Sequence, residues 1–176
     1  MVLYFITGNR GKFEEVKSVI SDVKQIDFDL PEIQELDARK IIEAKLMEAR
    51  GKYDGELICE DTSIYLDCLN GLPGPLIKWF MKSLGNKGIY ELVKKYGDFG
   101  ATAKTIIGYS NGKHIEFFEG SVKGKIASPM GEGFGWDPIF QPDGSNKTFG
   151  EMDMHEKNEI SMRRAALEKL KEYLDQ

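Results

Sequence analysis

Hydrophobic residues recur along the first third of the chain at spacings that distinguish strands from helices. A short apolar run at 2–6 predicts a buried strand, and the single apolar face of 12–20 predicts a helix. Residues 23–29 predict a second strand, and 37–50 predict a longer helix with Asp37 as its N-cap. The first 50 residues are therefore expected to alternate strand and helix.

Three polar residues end the next apolar run. The run at 57–59 stops at Glu60, Asp61 and Thr62, which predicts that a buried strand ends there and a turn follows. In α/β folds, ligands lie in the crevice outside the carboxyl ends of the strands, so we expect Asp61 there as part of a metal site. The alternative is that the two acidic residues are solvated turn residues, because acidic side chains are usually exposed.

The rest of the chain carries further strand, helix and loop signals. Proline and glycine make 71–75 an irregular loop, 85–87 separates two helices, and Asn111-Gly112 marks a hairpin. Strands are predicted at 64–69, 101–109 and 114–127, and helices at 76–84, 88–96 and 158–174.

Two basic residues fall on the apolar faces of predicted helices. Lys45 lies inside the stripe of the helix at 37–50, so it needs an anionic partner or a route to water. Arg163 lies in the middle of the stripe of the last helix, whereas Arg164 lies off it. Because burying a lone guanidinium is costly, Arg163 is expected to bind a ligand or an internal carboxylate, and both stay open. The spacing of Lys78 indicates a surface lysine.

Two loops have compositions that suit ligands. Residues 7–12 form a glycine-bearing strand-to-helix turn, where backbone N–H groups and the positive helix end attract anions. The turn is not a P-loop, because Phe13 stands where that motif needs Ser or Thr, and a purely structural turn is an equal alternative. Residues 128–150 mix proline and glycine with aromatic rings, which would either stack on a nucleobase or seal the loop onto the core. The rings are those of Phe134, Trp136, Phe140 and Phe149.

Composition and charge narrow the class of protein. The chain has 176 residues, of which 41% are hydrophobic, so we expect one domain with a sizeable core. A net charge of -5 argues against sequence-independent binding of nucleic acid.

The opening apolar run is too short for a signal peptide or a membrane span, so we expect a cytoplasmic protein with no membrane partner. Cys59 and Cys68 match no zinc spacing and are expected to be thiols that fill the core.

Six segments of the chain together carry a resemblance to a known family. They are Thr7-Gly8-Asn9-Arg10-Gly11-Lys12, Leu30-Pro31-Glu32, Glu60-Asp61-Thr62, Gly71-Leu72-Pro73-Gly74-Pro75 with Ile77-Lys78-Trp79-Phe80, Phe134-Gly135-Trp136-Asp137-Pro138, and Glu156-Lys157-Asn158 leading to Ser161-Met162-Arg163. In this order and at these separations, they make the chain similar, nearly from end to end, to the inosine triphosphate pyrophosphatase family.

That resemblance implies a fold, an assembly and a reaction. The fold would be α/β, with an elongated mixed sheet flanked by helices and two lobes with the active-site cleft between them. The chain would be a single domain over 1–176, with the second lobe at about 76–127, and it would form a homodimer. It would hydrolyse the non-standard purine nucleotides ITP, dITP and XTP to the monophosphate and pyrophosphate, and so clear them from the nucleotide pool.

The resemblance also implies roles for particular residues. Glu32 and Asp61 would bind Mg²⁺, which takes carboxylate oxygens together with waters and substrate phosphates. Asp61 would also be the general base for the water that attacks the α-phosphorus, although coordination lowers the basicity of a carboxylate. The phosphates would be bound by Thr7, Gly8, Asn9, Arg10, Gly11, Lys12, Lys45, Thr62 and Lys78. The base would be bound by Phe134, Gly135, Trp136, Asp137, Lys157, Met162 and Arg163.

One residue departs from the pattern of the family. The family reads Ser-His-Arg where this chain has Ser161-Met162-Arg163, so a thioether, which is a weak acceptor, replaces a hydrogen-bonding imidazole. The difference bears on discrimination between bases rather than on hydrolysis. It motivates one alternative, a pyrophosphatase of broader or different nucleotide specificity. A separate alternative is a catalytically silent nucleotide-binding protein. The presence of both Glu32 and Asp61 argues against the silent protein.

Overall fold

Parallel and antiparallel strands share one sheet in this protein. The computed structural model describes residues 2–28, 30, 32–53 and 55–176. Its strands are β1 (Leu3–Ile6), β2 (Lys24–Ile26), β3 (Glu56–Leu66), β4 (Pro73–Gly74), β5 (Gly100–Ser110), β6 (Ile115–Ile126) and β7 (Phe140–Pro142). Its α-helices are α1 (Arg10–Val19), α2 (Ala38–Arg50), α3 (Ile77–Tyr96), α4 (Met154–Ile160) and α5 (Met162–Leu174). Short 3₁₀ turns lie at Asp67–Leu69, Asp137–Ile139 and Phe149–Glu151.

The sheet has the strand order β2-β1-β3-β5-β6-β7, and β4 pairs with β3. β1 runs parallel to both of its neighbours, with Phe5 paired to Gln25 of β2 and to Ile58 of β3. The pairs β3–β4 and β6–β7 are antiparallel. The sheet is therefore mixed, and the α/β class that the resemblance implies is confirmed.

The chain divides into two compact units. The first unit comprises Met1–Asp61, Thr105–Gly120 and Arg163–Gln176, and the second comprises Thr62–Lys104 and Ser121–Met162. The chain passes from one unit to the other within the long strands β3, β5 and β6. The lobe boundaries and the cleft named above stay predictions.

The first unit buries apolar residues on both faces of its strands. Ile58 of β3 belongs to one cluster, with Val16 of α1 and Leu167 of α5. Its neighbours Leu57 and Cys59 belong to another cluster, which α2 covers. Because successive strand residues point to opposite faces, this alternation gives β3 an α1/α5 face and an α2 face in the first unit.

The second unit has a core of its own. Ile64 and Leu66 of β3 pack there with residues of α3 such as Ile89 and Val93. Three aromatic residues from the segment after β6 complete this core, namely Trp136 before β7, Phe140 in β7 and Phe149 in the 3₁₀ turn after it.

The prediction that β3 ends at the carboxylates is wrong. The strand runs for 11 residues through Glu60, Asp61 and Thr62, and it then pairs through Ile64 and Tyr65 with the two residues of β4. It continues because its buried Glu60 is neutralised by basic residues distant in sequence, which a local pattern does not reveal. Asp61 therefore lies within a strand rather than at its end, and the separate strand predicted at 64–69 is the second half of β3 followed by a 3₁₀ turn.

The prediction of one long final helix is also wrong. Ser161 has φ -73° and ψ 148°, so its backbone is extended and separates α4 from α5. Asp153 begins α4 with a capping box in which its side chain accepts from the N–H of Glu156. The break puts Arg163 in the first turn of α5 rather than in the middle of a helix.

Other predictions from local sequence are confirmed. The side chain of Asp37 accepts from the N–H of Arg39 as the N-cap of α2. Helix α3 is broken at Gly85, and Asn111 accepts from two backbone N–H groups in the hairpin between β5 and β6. Both cysteines are free thiols. Strand β2 is shorter than predicted, and Asp29 and Pro31 lie outside the described residues.

No helix in the described part of the chain combines the length and the apolar composition that a membrane span needs.

The packing of α2 on β5 generates a stability prediction. A Cβ at Gly108 would overlap Ile42 and would lie 2.9 Å from Leu46 Cδ1, so Gly108→Ala overpacks this contact. We expect it to lower the free energy of unfolding by about 1–3 kcal/mol. Gly51→Ala is the matched control, because its Cβ would meet no atom closer than 3.7 Å. Urea unfolding measures the stability of both variants. Equal midpoints for Gly108→Ala and Gly51→Ala would contradict the prediction.

Candidate active site

The turn between β1 and α1 exposes the positive end of a helix. The N–H of Asn9 donates to Thr7 Oγ1 at 3.1 Å, and Asn9 Oδ1 accepts from the N–H of Lys12 at 3.0 Å. This cap satisfies one N–H of the first turn, and helix geometry gives those of Arg10 and Gly11 no partner within the helix. A Cβ on Gly8 would lie 2.9 Å from Oδ1 of the exposed Asp27 side chain. The turn is suited to an anion.

Beside this turn, four charged side chains form a cluster that is buried or nearly so. Glu60 Oε2 and Oε1 accept from Arg163 Nε at 2.8 Å and from Arg163 Nη2 at 3.0 Å. Lys12 Nζ lies 2.9 Å from Glu60 Oε1, and Arg163 Nη1 lies 2.5 Å from Glu15 Oε2. Two cations and two carboxylates balance one another, which is what allows Glu60 and Arg163 to be buried.

The cluster favours the ionised forms of Glu60 and Arg163. Burial alone would raise the pKa of the Glu60 carboxyl, but the charges of Arg163 and Lys12 and their hydrogen bonds outweigh it and lower this pKa to about 2. Burial would likewise lower the pKa of Arg163, and the two carboxylates reverse the direction and raise it. Of the two partners considered for Arg163, the internal carboxylate is therefore confirmed.

Lys45 also has an anionic partner. Its Nζ lies 2.6 Å from Glu32 Oε1, so this lysine on the apolar stripe of α2 is neutralised by a predicted metal ligand. The side chain of Lys45 is 15% exposed and that of Glu32 is 37% exposed. Of the two readings of Lys45, an anionic partner or a route to water, the partner is confirmed.

Asp61 lies on the same face of β3 as α2. It is two residues beyond Cys59, whose thiol donates to Ile42 O of α2 at 3.7 Å, and residues i and i+2 of a strand share a face. Glu60 points to the other face, toward α1 and α5. Asp61 and Lys45 are thus both associated with the α2 face, while Glu60 belongs to the separate charge cluster.

The second unit contains a different polar pair. Asp137 is 7% exposed, and its Oδ2 accepts from Lys157 Nζ at 2.7 Å and from the N–H of Phe134 at 3.2 Å. The ion pair joins the loop after β6 to α4, because Lys157 lies in α4.

The aromatic loop residues divide between the two roles considered for them. Trp136, Phe140 and Phe149 pack on one another, with ring centroids 5.1–6.5 Å apart, and they seal the loop onto the core. Phe134 behaves differently, because 70% of its surface is exposed. Among these four rings, Phe134 is therefore the one accessible to a ligand.

The remaining predicted site residues have varied environments. Lys78 is exposed, as its spacing indicates, and its Nζ lies 5.7 Å from the centroid of the Trp79 ring. Thr62 is partly buried in β3, and Gly135 is exposed beside Phe134. Met162 is 2% exposed and packs in the core of the second unit, so its thioether fills space there.

Sequence reasoning missed Glu15, which binds Arg163. A signal for it existed, because Lys12 and Glu15 are three residues apart and share a face of α1. Nothing in the local sequence indicates that this face meets α5.

The charge cluster generates a prediction about acid stability. Above pH 4.5, the ordinary pKa of its carboxyl, Glu60 is ionised in both folded and unfolded chains and its stabilisation is complete. As the pH falls toward about 2, the unfolded chain binds a proton that the folded chain does not, so stability is lost. Glu60→Gln should therefore lower the free energy of unfolding by about 3 kcal/mol at pH 7. The difference from the unsubstituted protein should shrink on acidification.

Glu168→Gln is the matched control, since it breaks the exposed pair of Glu168 with Arg164 on the same helix as Arg163. It should change stability by less than about 0.5 kcal/mol. Urea unfolding from pH 7 to pH 3 measures all three proteins. A constant difference between Glu60→Gln and the unsubstituted protein over this range would contradict the prediction.

The chain is similar to proteins of known name over almost its full length. Three of them are named inosine triphosphate pyrophosphatase. The protein from Schizosaccharomyces pombe is 38% identical, with 98% of this chain and 95% of that protein covered. The protein from Neurospora crassa is 42% identical, with 98% and 92% covered, and the one from Ajellomyces capsulatus is 40% identical, with 97% and 94% covered.

Solved structures agree with this similarity. The Ham1 protein of Staphylococcus aureus superposes with a TM-score of 0.82 at 28% identity, and 98% of each chain is covered. A HAM1 protein of Coxiella burnetii also gives 0.82, at 26% identity and with 99% of each chain covered. The model of the Ham1 family matches residues 3–173. The resemblance read from the six segments is thereby confirmed, and the chain belongs to the Ham1 family.

Proposed function

We propose that this protein hydrolyses the non-standard purine nucleotides ITP, dITP and XTP to the nucleoside monophosphate and pyrophosphate. The observation that carries the proposal is the 38–42% identity, over nearly the whole chain, to three proteins named inosine triphosphate pyrophosphatase. On the family resemblance, we also propose that the enzyme is a cytoplasmic homodimer.

Phosphate binding is proposed for the turn before α1 and for two lysines. The first-turn N–H groups of α1 are suited to a phosphate, and Lys12 and Lys45 add positive charge in the same unit. Each lysine is paired with a carboxylate, at 2.9 Å for Lys12 and 2.6 Å for Lys45, which fixes its ammonium group before a substrate arrives. Thr62 and Lys78 are assigned to the phosphates by the resemblance alone.

Glu32 and Asp61 are the proposed Mg²⁺ ligands. The described residues contain no group of three or more His, Cys, Asp or Glu side chains that forms a complete metal site. Two carboxylates fit Mg²⁺ nonetheless, because this ion is commonly bound by one or two carboxylates together with substrate phosphates and waters. Bound Mg²⁺ would neutralise charge on the triphosphate as a Lewis acid. Lys45 would compensate Glu32 in the absence of the ion.

Asp61 is the proposed general base. It would accept a proton from the attacking water, whose oxygen forms a bond to the α-phosphorus. The bond between this phosphorus and the oxygen that bridges to the β-phosphorus breaks, and its electron pair leaves with pyrophosphate. A carboxylate that also binds a metal is a weaker base than a free one.

Base recognition is proposed for the second unit. The exposed ring of Phe134 offers a flat face for stacking on a purine. Lys157 supplies a cationic donor beside Asp137 and would favour a 6-oxo group, because the amino group of adenine would leave such a donor unpaired. Gly135, Trp136 and Met162 are assigned to the base by the resemblance alone, as is Arg163, which belongs to the first unit. The burial of Met162 indicates that its side chain contributes packing rather than a hydrogen bond.

Product analysis tests the proposed reaction. In ¹⁸O-labelled water with ITP and Mg²⁺, we expect IMP and pyrophosphate, with the label in IMP, because water attacks the α-phosphorus. Asp61→Asn should lower kcat by about 10²–10⁴-fold, the usual contribution of a general base, without loss of the fold. Phosphorus NMR identifies the products and locates the label.

Asp22→Asn serves as the control, because Asp22 is exposed in the turn after α1. It should leave kcat unchanged. Formation of IDP and phosphate, or label in pyrophosphate, would contradict the proposed reaction, and full activity of Asp61→Asn would remove Asp61 from its role.

A further inference from the structure

Helix α3 is broken at Gly85, and the side chain of the next residue reaches the loop that carries Phe134. Gly85 has φ 64° and ψ 179°, a conformation that glycine adopts readily and other residues rarely do. The next residue, Asn86, points its amide toward the loop that carries Phe134, and Asn86 Nδ2 donates to Gly135 O at 3.0 Å. Both residues belong to the second unit.

The acceptor of this hydrogen bond belongs to a glycine whose Cα faces open space. Gly135 has φ +62°, and a Cβ there would meet no atom within 4 Å. On one side of it, Phe134 donates its N–H to Asp137, and on the other Trp136 is buried in the core. The carbonyl of Gly135 lies between these two anchors, next to the exposed ring of Phe134.

The amide of Asn86 is committed to the loop rather than to its own helix. An asparagine at the start of a helical segment usually accepts a backbone N–H through Oδ1, as Asn9 does in α1. Asn86 Oδ1 is buried and accepts no hydrogen bond from any residue that the structure describes. Asn86 therefore does not cap the helical segment that it begins.

We propose that Asn86 is a positioning residue that holds the Gly135 carbonyl and thereby sets the orientation of the Phe134 ring for a purine. This inference rests on the proposed function in so far as the purine is concerned, whereas the restraint on the loop does not depend on it. A role confined to stability predicts a different result, namely a loss of thermal stability in Asn86→Ala without a change in the KM for ITP.

The test uses Asn86→Ala, with Lys87→Ala as the matched control, because Lys87 is the exposed neighbour in the same turn. Hydrogen exchange of the free protein should show faster exchange at residues 133–136 in Asn86→Ala and not in Lys87→Ala. The KM for ITP should rise by about 3–10-fold, the range that one hydrogen bond supports, while kcat stays within about twofold. Thermal unfolding confirms that each variant is folded.

A double-mutant cycle with Phe134→Ala separates positioning from a general structural effect. If Asn86 acts through the Phe134 ring, Asn86→Ala should not raise KM further once that ring is absent. If hydrogen exchange in Asn86→Ala is unchanged, Asn86 does not restrain the loop. If Asn86→Ala raises KM in the Phe134→Ala background as much as in the unsubstituted protein, Asn86 does not act through the Phe134 ring. A lack of pyrophosphate release from ITP by the unsubstituted protein would contradict the proposed function, and hydrogen exchange would still decide whether Asn86 restrains the loop.

Discussion

The ion pair between Glu60 and Arg163 is the interaction on which the first unit depends. It places a carboxylate in the interior of a long strand and joins that strand to the first turn of α5, while Lys12 ties the same carboxylate to α1. Removal of one member would leave the other buried with a single remaining counter-charge, Lys12 for Glu60 or Glu15 for Arg163, a loss of about 3 kcal/mol. The pair therefore fixes the position of α1, and with it the turn proposed to bind phosphate.

The same principle recurs at two lysines proposed to bind the substrate. Lys45 is paired with Glu32, and Lys157 is paired with Asp137, at 2.6 Å and 2.7 Å. Cations held in place by carboxylates need little reorganisation when a charged ligand arrives, which is the condition under which fixed charges contribute most to binding and catalysis. The alternation of β3 separates these functions, because Glu60 faces α1 and α5 while Asp61 shares the face that α2 covers.

Local sequence predicted the features whose causes are local. The cap at Asp37, the break at Gly85 and the Asn111-Gly112 hairpin each follow from the conformational preference of one or two residues. The continuation of β3 through Glu60 was not predictable in this way, because its counter-charges lie about 50 residues before it and 100 residues after it. Helical periodicity did show that Arg163 required a partner, although it did not identify Glu60.

Selection between purine bases is the central claim, and kcat/KM for ITP and for ATP, measured with Mg²⁺ on the unsubstituted protein, tests it most directly. If donors in the second unit recognise a 6-oxo group, ITP should be preferred by about 10²–10⁴-fold, because adenine leaves those donors unpaired. Equal values for the two nucleotides would contradict the account and would favour an enzyme of broad nucleotide specificity.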